Sequence, residues 1–187
     1  MKETARQDAQ RNVARIVAAA TRVLAEDPDA TMQDIAAAAG LGRATVYRHF
    51  PTREDLLGAI MLSALDEFRQ ALSDGRLEGV DPREALRRGM ALILEISDRY
   101  RVVVDARDHT PTEAKAAAVA QAFAPLEAVL QRARTEGVIR PDVPLAWARE
   151  TLGALIKVAL RQAAEGTLSR DDASAMIVDT LLRGLGD

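Results

Sequence analysis

Cysteine is absent from the chain, which excludes a disulfide scaffold and every form of thiol chemistry. Aromatic residues are scarce, at 3%, while 48% of the residues are hydrophobic and much of that share is alanine and leucine. Such a mixture suits helices packed on helices and argues against a β-sandwich. Only two histidines occur. There is also no glycine-rich phosphate loop after a strand and no cluster with metal-ligand spacing, so little is present to run a reaction. An enzyme is not expected, nor is a cofactor or a resident metal. No apolar stretch approaches the roughly 18 residues needed to span a bilayer. The N-terminal run MKETARQDAQRNVARI holds charges and amides where a signal peptide would have an apolar core. A cytoplasmic protein with no membrane partner is expected.

Positive charge is not in excess either: the formal net charge is −3, and acids and bases balance over residues 1–58. Local placement is more informative. Between Gly40 and Arg53 lie Arg43, Arg48, His49 and Arg53 itself, with no acid among them. A patch of this kind can face phosphates while the acids sit elsewhere.

What is present is a succession of about nine helical segments, each with a start or stop signal. In the first, Val13, Ile16, Val17, Ala20, Val23 and Leu24 recur at helical spacing until Pro28 and its acidic neighbours end the pattern. Thr31 with Asp34 reads as a capping box for a short second helix, stopped by Gly40. A third covers about Arg43 to His49. Thr52 with Asp55 opens a fourth, with Leu57, Ile60, Met61, Ala64, Phe68 and Leu72 on one face. Asp81 and Pro82 open a fifth after a glycine-containing loop. Residues 99–107, with Val102, Val103 and Val104, are assigned a short helix. Thr110, Pro111 and Glu113 open a long one that ends near Glu136 with Gly137 as its left-handed cap, and Pro125 should kink it. Asp142 and Pro144 begin the eighth, ended by Gly166, and Ser169 with Asp172 begins the ninth. The expected fold class is all-α.

Function is concentrated in TMQDIAAAAGLGRATVYRHFPTREDLL, residues 31–57. Two short helices joined by Gly40-Leu41-Gly42 have the proportions of a helix-turn-helix, whose second helix can enter a major groove. Ile35, Ala36, Ala39, Leu41, Val46 and Phe50 would form the inner side. Arg43, Ala44, Thr45, Tyr47, Arg48 and His49 remain outside as donors to phosphate and bases, with small or methyl groups that can meet a thymine methyl. Arg6, Arg11 and Arg15 are further candidates for a minor-groove or phosphate role.

With Gly40, Thr45, Tyr47, His49 and Phe50 followed by Arg53-Glu54-Asp55-Leu56, the segment resembles the DNA-binding signature of the TetR family of regulators. The resemblance implies two domains, residues 1–52 for DNA and residues 53–187 for ligand binding and dimerisation. It implies that Gln33, Arg43 and Thr45 touch bases or nearby phosphates, that Tyr47 and His49 grip the backbone, and that Arg53 binds a phosphate at the start of the fourth helix. Thr31 would cap the second helix, whose amides can hold a phosphate. Gly42 departs from the serine cap common in the family, at a cost of a few tenths of a kcal/mol. Residues 133–147 are similar to the turn these regulators carry before their dimerising helices.

The implied function is that of a ligand-responsive repressor, a homodimer on palindromic double-stranded operator DNA released by a small-molecule inducer. Met90, Ile93, Tyr100, His109, Phe123 and Trp147 are the candidate ligand lining. Asp105 and His109, four apart, are read as a surface hydrogen bond rather than a metal pair. The last two segments are apolar on more than one face, whereas a surface helix needs only one apolar stripe. Leu152, Leu155, Ile156, Ala173, Met176, Ile177 and Leu181 are the candidate dimer interface, and Trp147, Ala154 and Val158 form a second stripe. The alternative is a DNA-bound protein of the same fold acting through a protein partner.

Overall fold

A computed structural model describes residues 2–100 and 113–185. Among them are eight helices and no strand: α1 (Lys2–Glu26), α2 (Met32–Ala39), α3 (Arg43–His49), α4 (Arg53–Asp74), α5 (Pro82–Arg99), α6 (Glu113–Thr135), α7 (Leu145–Ala164) and α8 (Arg170–Leu185). The short helix expected over residues 99–107, and with it Asp105 and His109, lies outside the described residues beyond Tyr100. No described helix is long and apolar enough to cross a membrane.

Local chemistry sets most of the boundaries. The Asp81 carboxylate accepts from the amides of Arg83 (2.9 Å) and Glu84 (3.4 Å) and so caps α5. The Ser169 hydroxyl accepts from the Asp172 amide at 3.1 Å and caps α8. At the end of α6 the Val138 amide reaches back to Ala133 O (2.8 Å) and the Gly137 amide to Arg134 O (3.2 Å). This paired pattern closes a helix when the residue after it is left-handed. Pro125 lies inside α6 and cannot donate to the carbonyl one turn earlier. Ahead of α7 Asp142 pairs with Arg140 at 3.6 Å, and Pro144 is the N-cap, with no side-chain cap bond.

The described chain divides into two compact units within α4, after Ala64. The first holds α1 to α3 and the opening of α4, together with Arg99 and Tyr100; Ile16, Ala20, Leu24, Ile35, Val46, Leu56 and Ile60 are buried in it. The second holds the remaining helices, with Leu72, Leu86, Met90, Ile93, Leu130, Ile139 and Leu181 buried. Here the Arg132 guanidinium on α6 donates to Leu77 O (3.0 Å) and Val80 O (2.9 Å), holding the loop between α4 and α5. Gly89 lets α5 approach closely, because a Cβ there would stand 3.1 Å from Leu126 Cδ1.

Much of the expected dimer stripe lies where α7 packs against α8. Leu152, Ala173, Ile177 and Leu181 are buried within this single chain. Leu155 and Ile156 are half-buried. Of the expected set only Met176, 57% exposed, stands free, alongside Val158 at 48% and Trp147 at 62% from the other stripe. Trp147 therefore lies on the surface rather than in an enclosed lining. Two apolar stripes on one helix give burial two ways to occur, and α7–α8 packing uses the one first assigned to a partner.

Candidate nucleic-acid interface

The arrangement begins at Thr31, which enters α2 with extended backbone. Its hydroxyl accepts from the Asp34 amide (3.3 Å), while the Asp34 carboxylate accepts from the Thr31 amide (2.9 Å) and hydroxyl (2.6 Å). That is the expected capping box, and its hydrogen bonds from the Thr31 side chain and backbone hold the Asp34 carboxyl below its ordinary value. Met32, Ile35, Ala36 and Ala39 form the buried side of α2. The helix stops at Gly40, where φ is +64°, a conformation costly for any residue with a Cβ. Its amide bonds Ala37 O at 3.0 Å, and the Leu41 amide bonds Ala36 O at the same distance.

Gly42 then starts α3 with extended backbone and no side-chain cap, its carbonyl accepting from the amides of Thr45 (2.9 Å) and Val46 (3.2 Å). Val46 and Phe50 are buried, as the periodicity predicts, and Leu41 is half-buried. On the outer side Arg43, Ala44, Tyr47 and Arg48 are exposed, with Thr45 and His49 half-buried. The Arg43 guanidinium lies 5.2 Å from the centre of the Tyr47 ring, a cation–π contact one turn apart. His49 Nε2 is buried and has no hydrogen-bond partner among the described residues. Gln33 and Thr31 are exposed at the start of α2. A second capping box follows, in which the Thr52 hydroxyl accepts from the Asp55 amide (3.1 Å) and the Asp55 carboxylate accepts from the Thr52 amide (3.1 Å).

Two arginines stand differently from their expected roles. Arg53 donates Nη1 to Ala30 O and Nη2 to Pro28 O, each at 2.5 Å, so its guanidinium is turned onto the loop between α1 and α2 rather than outward to a phosphate. Arg15 donates Nη2 to Ala39 O at 2.8 Å, at the end of α2. No local signal marks either bond, since the acceptors are backbone carbonyls 23 to 25 residues away. Arg11 pairs with Asp8 at 3.4 Å, and the side chain of Arg6 lies outside the described residues.

The candidate ligand residues scatter. Met90 and Ile93 are buried in α5, and Phe123 on α6 is half-buried, its ring 5.6 Å from that of Phe68. Tyr100 is buried but belongs to the first unit, His109 is outside the described residues, and Trp147 is exposed. A groove of about 630 Å³, not anticipated from sequence, runs between the start of α5 and α8 and is lined in part by Glu84, Arg87, Met176 and Arg183. Of its charged side chains, Arg87 pairs with Glu84 and Arg183 with Asp179, each at 2.8 Å.

A capped short helix, a left-handed glycine turn and a second helix with an acid-free outer face constitute a helix-turn-helix, the class of a sequence-reading regulator. Residues 16–60 match the family model for bacterial regulatory proteins of the tetR family. The chain is 34% identical over 175 residues to the HTH-type transcriptional repressor LfrR of Mycolicibacterium smegmatis, an alignment covering 91% of this chain and 88% of that protein. The crystal structure of LfrR in complex with proflavine superposes with a TM-score of 0.76 at 30% identity, covering 95% of this chain and 98% of the other. The TetR family regulator PfmR from Thermus thermophilus superposes with a TM-score of 0.69 at 28% identity, covering 92% and 100%. The chain belongs to the TetR family: it is a transcriptional regulator and not an enzyme.

The capping box yields a pH prediction. A carboxyl whose pKa is lowered on folding contributes stability that is complete above its unfolded value and lost as pH falls through the folded one. The contribution of Asp34 should therefore begin to fail below the ordinary carboxylate value of 3.8. Thr31→Ala should cost about 0.5–2 kcal/mol in urea unfolding at neutral pH and return the Asp34 titration, followed by NMR, toward 3.8.

Proposed function

We propose that the chain is a ligand-responsive repressor that binds a palindromic operator as a homodimer and is released by a small-molecule inducer. The observation that carries DNA binding is the outer face of α3, exposed, without an acid and rich in donors. Arg43, Ala44, Thr45, Tyr47 and Arg48 are assigned to base edges and adjacent phosphates, and His49 to the phosphate backbone. Thr31 and Gln33 are assigned to the flank at the start of α2. Residues 1–52 serve DNA and residues 53–187 serve ligand and partner, with α4 running continuously out of the first unit into the second.

Dimerisation is assigned to the free apolar side of α7 and α8. Trp147, Ala154 and Val158 are exposed at spacings of seven and four, hence on one side of α7, and Met176 is exposed on α8. Two recognition helices reading two half-sites multiply single contacts that are individually weak. A relative whose crystal structure holds proflavine supports a small-molecule signal. Action through a protein partner would call for an apolar exposed face on α5 or α6. Among the described residues there, Val119 is the one large apolar side chain exposed.

Three outcomes test this reading, using a duplex enriched from a randomised pool by the full chain. Thr45→Ala and Tyr47→Ala should each weaken binding of that duplex by about 1–3 kcal/mol at fixed salt while leaving the helical spectrum unchanged. Unaltered affinity in both removes the contact assignment. Val158→Glu combined with Met176→Glu should give folded monomers by sedimentation with loss of specific binding; a folded dimer that still binds places the interface elsewhere. Finally, a compound that raises the melting temperature of the free chain should lower duplex affinity roughly 5- to 150-fold, since a ligand shifts an equilibrium only through its differential affinity for the two states. Saturating ligand with unchanged duplex affinity defeats the inducer model for that compound.

A further inference from the structure

Helix α2 has eight residues, well under the roughly 12 to 15 at which an isolated helix becomes even marginal in water. Its placement must come from neighbours. Its inner side, Met32, Ile35, Ala36 and Ala39, is buried, but apolar burial is non-directional and does not by itself fix the tilt of so short a helix. Beyond its own caps, each end receives a directional bond from outside, and in both cases the donor is an arginine from another helix. At the start, Arg53, the first residue of α4, forks between Pro28 O and Ala30 O, immediately ahead of the Thr31 cap. At the finish, Arg15 of α1 reaches Ala39 O, one residue before the left-handed Gly40, and its Nη2 would lie 3.3 Å from a Cβ at that glycine. A cation at the last carbonyl also opposes the negative end of the helix dipole.

We propose that Arg15 and Arg53 are positioning residues that pin the two ends of α2 and thereby present α3, and that neither is a phosphate ligand. This rests on the DNA-binding reading above. The chemistry separates the two roles. A phosphate contact needs a positive charge facing solvent, which lysine supplies nearly as well as arginine. A fork between two carbonyls needs the planar guanidinium with donors on separate nitrogens, which a single ammonium does not reproduce. Because α3 follows α2 through only Gly40, Leu41 and Gly42, a shift of α2 becomes a shift of the reading face.

The test uses the full chain and the duplex it enriches from a randomised pool; failure to enrich any sequence defeats the DNA-binding reading itself and is seen before any variant is made. Arg53→Lys, Arg53→Gln and Arg15→Gln are then titrated with the enriched duplex and with a scrambled duplex over a series of salt concentrations, below the melting temperature of each variant. Positioning predicts about tenfold weaker binding of the enriched duplex by Arg53→Lys as well as Arg53→Gln, with the scrambled duplex less affected. It further predicts an unchanged slope of log affinity against log salt, and faster hydrogen exchange of the amides of residues 34–39. A phosphate role predicts near-native binding by Arg53→Lys, a slope reduced by about 0.9 in each glutamine variant, and unaltered exchange, and that pattern overturns the proposal. Arg53→Lys keeps the charge and the apolar stem, so it decides the matter if Arg53→Gln does not fold.

Discussion

Helices of eight and seven residues do not persist alone in water, so α2 and α3 exist only because their inner sides are buried and their ends are satisfied. Ile35, Val46 and Phe50 supply the burial, and each removes apolar surface from water at about 25 cal/mol per Å². That driving force is non-directional. Direction comes from the Thr31–Asp34 box, the left-handed Gly40 and the guanidinium bonds of Arg15 and Arg53. Remove the burial and the caps have nothing to cap. Without the directional bonds, the buried side would still associate but with a less defined angle.

The same economy of groups explains how an acidic chain can present a donor-rich surface. Near α3 the carboxylates are turned to local work: Asp34 accepts from Thr31, and Asp55 accepts from Thr52. In the second unit Glu84 takes hydrogen bonds from Arg87 and Arg88, which bring its carboxyl down to about 2. The net charge of −3 therefore says little about any one face. Placement decides which ions meet it.

The second unit reflects a different constraint. Its helices bury leucine and isoleucine on sides that sequence alone marks as equivalent. Packing of α7 on α8 encloses Leu152, Ala173, Ile177 and Leu181 and leaves Trp147, Val158 and Met176 outside. Val178 and Leu182 are buried as well, so α8 is enclosed on more than one side within the single chain. What is left outside lies mainly on α7.

By itself the sequence determined whatever depends on neighbours a few residues apart. The capping boxes at Thr31 and Thr52, the cap at Ser169, the turn at Gly40, the limits of α3 and its inner and outer sides all follow from groups meeting backbone one turn away. The motif that carries the family resemblance is local for the same reason. Tertiary structure decided the arginines and the stripes. Arg15, Arg53 and Arg132 bond backbone carbonyls between 23 and 55 residues distant, and a carbonyl acceptor carries no residue identity for a sequence pattern to register. Which apolar stripe of α7 and α8 turns inward was likewise undecided, because hydrophobic attraction has no direction and only the competing shapes of the neighbouring helices choose between two apolar faces.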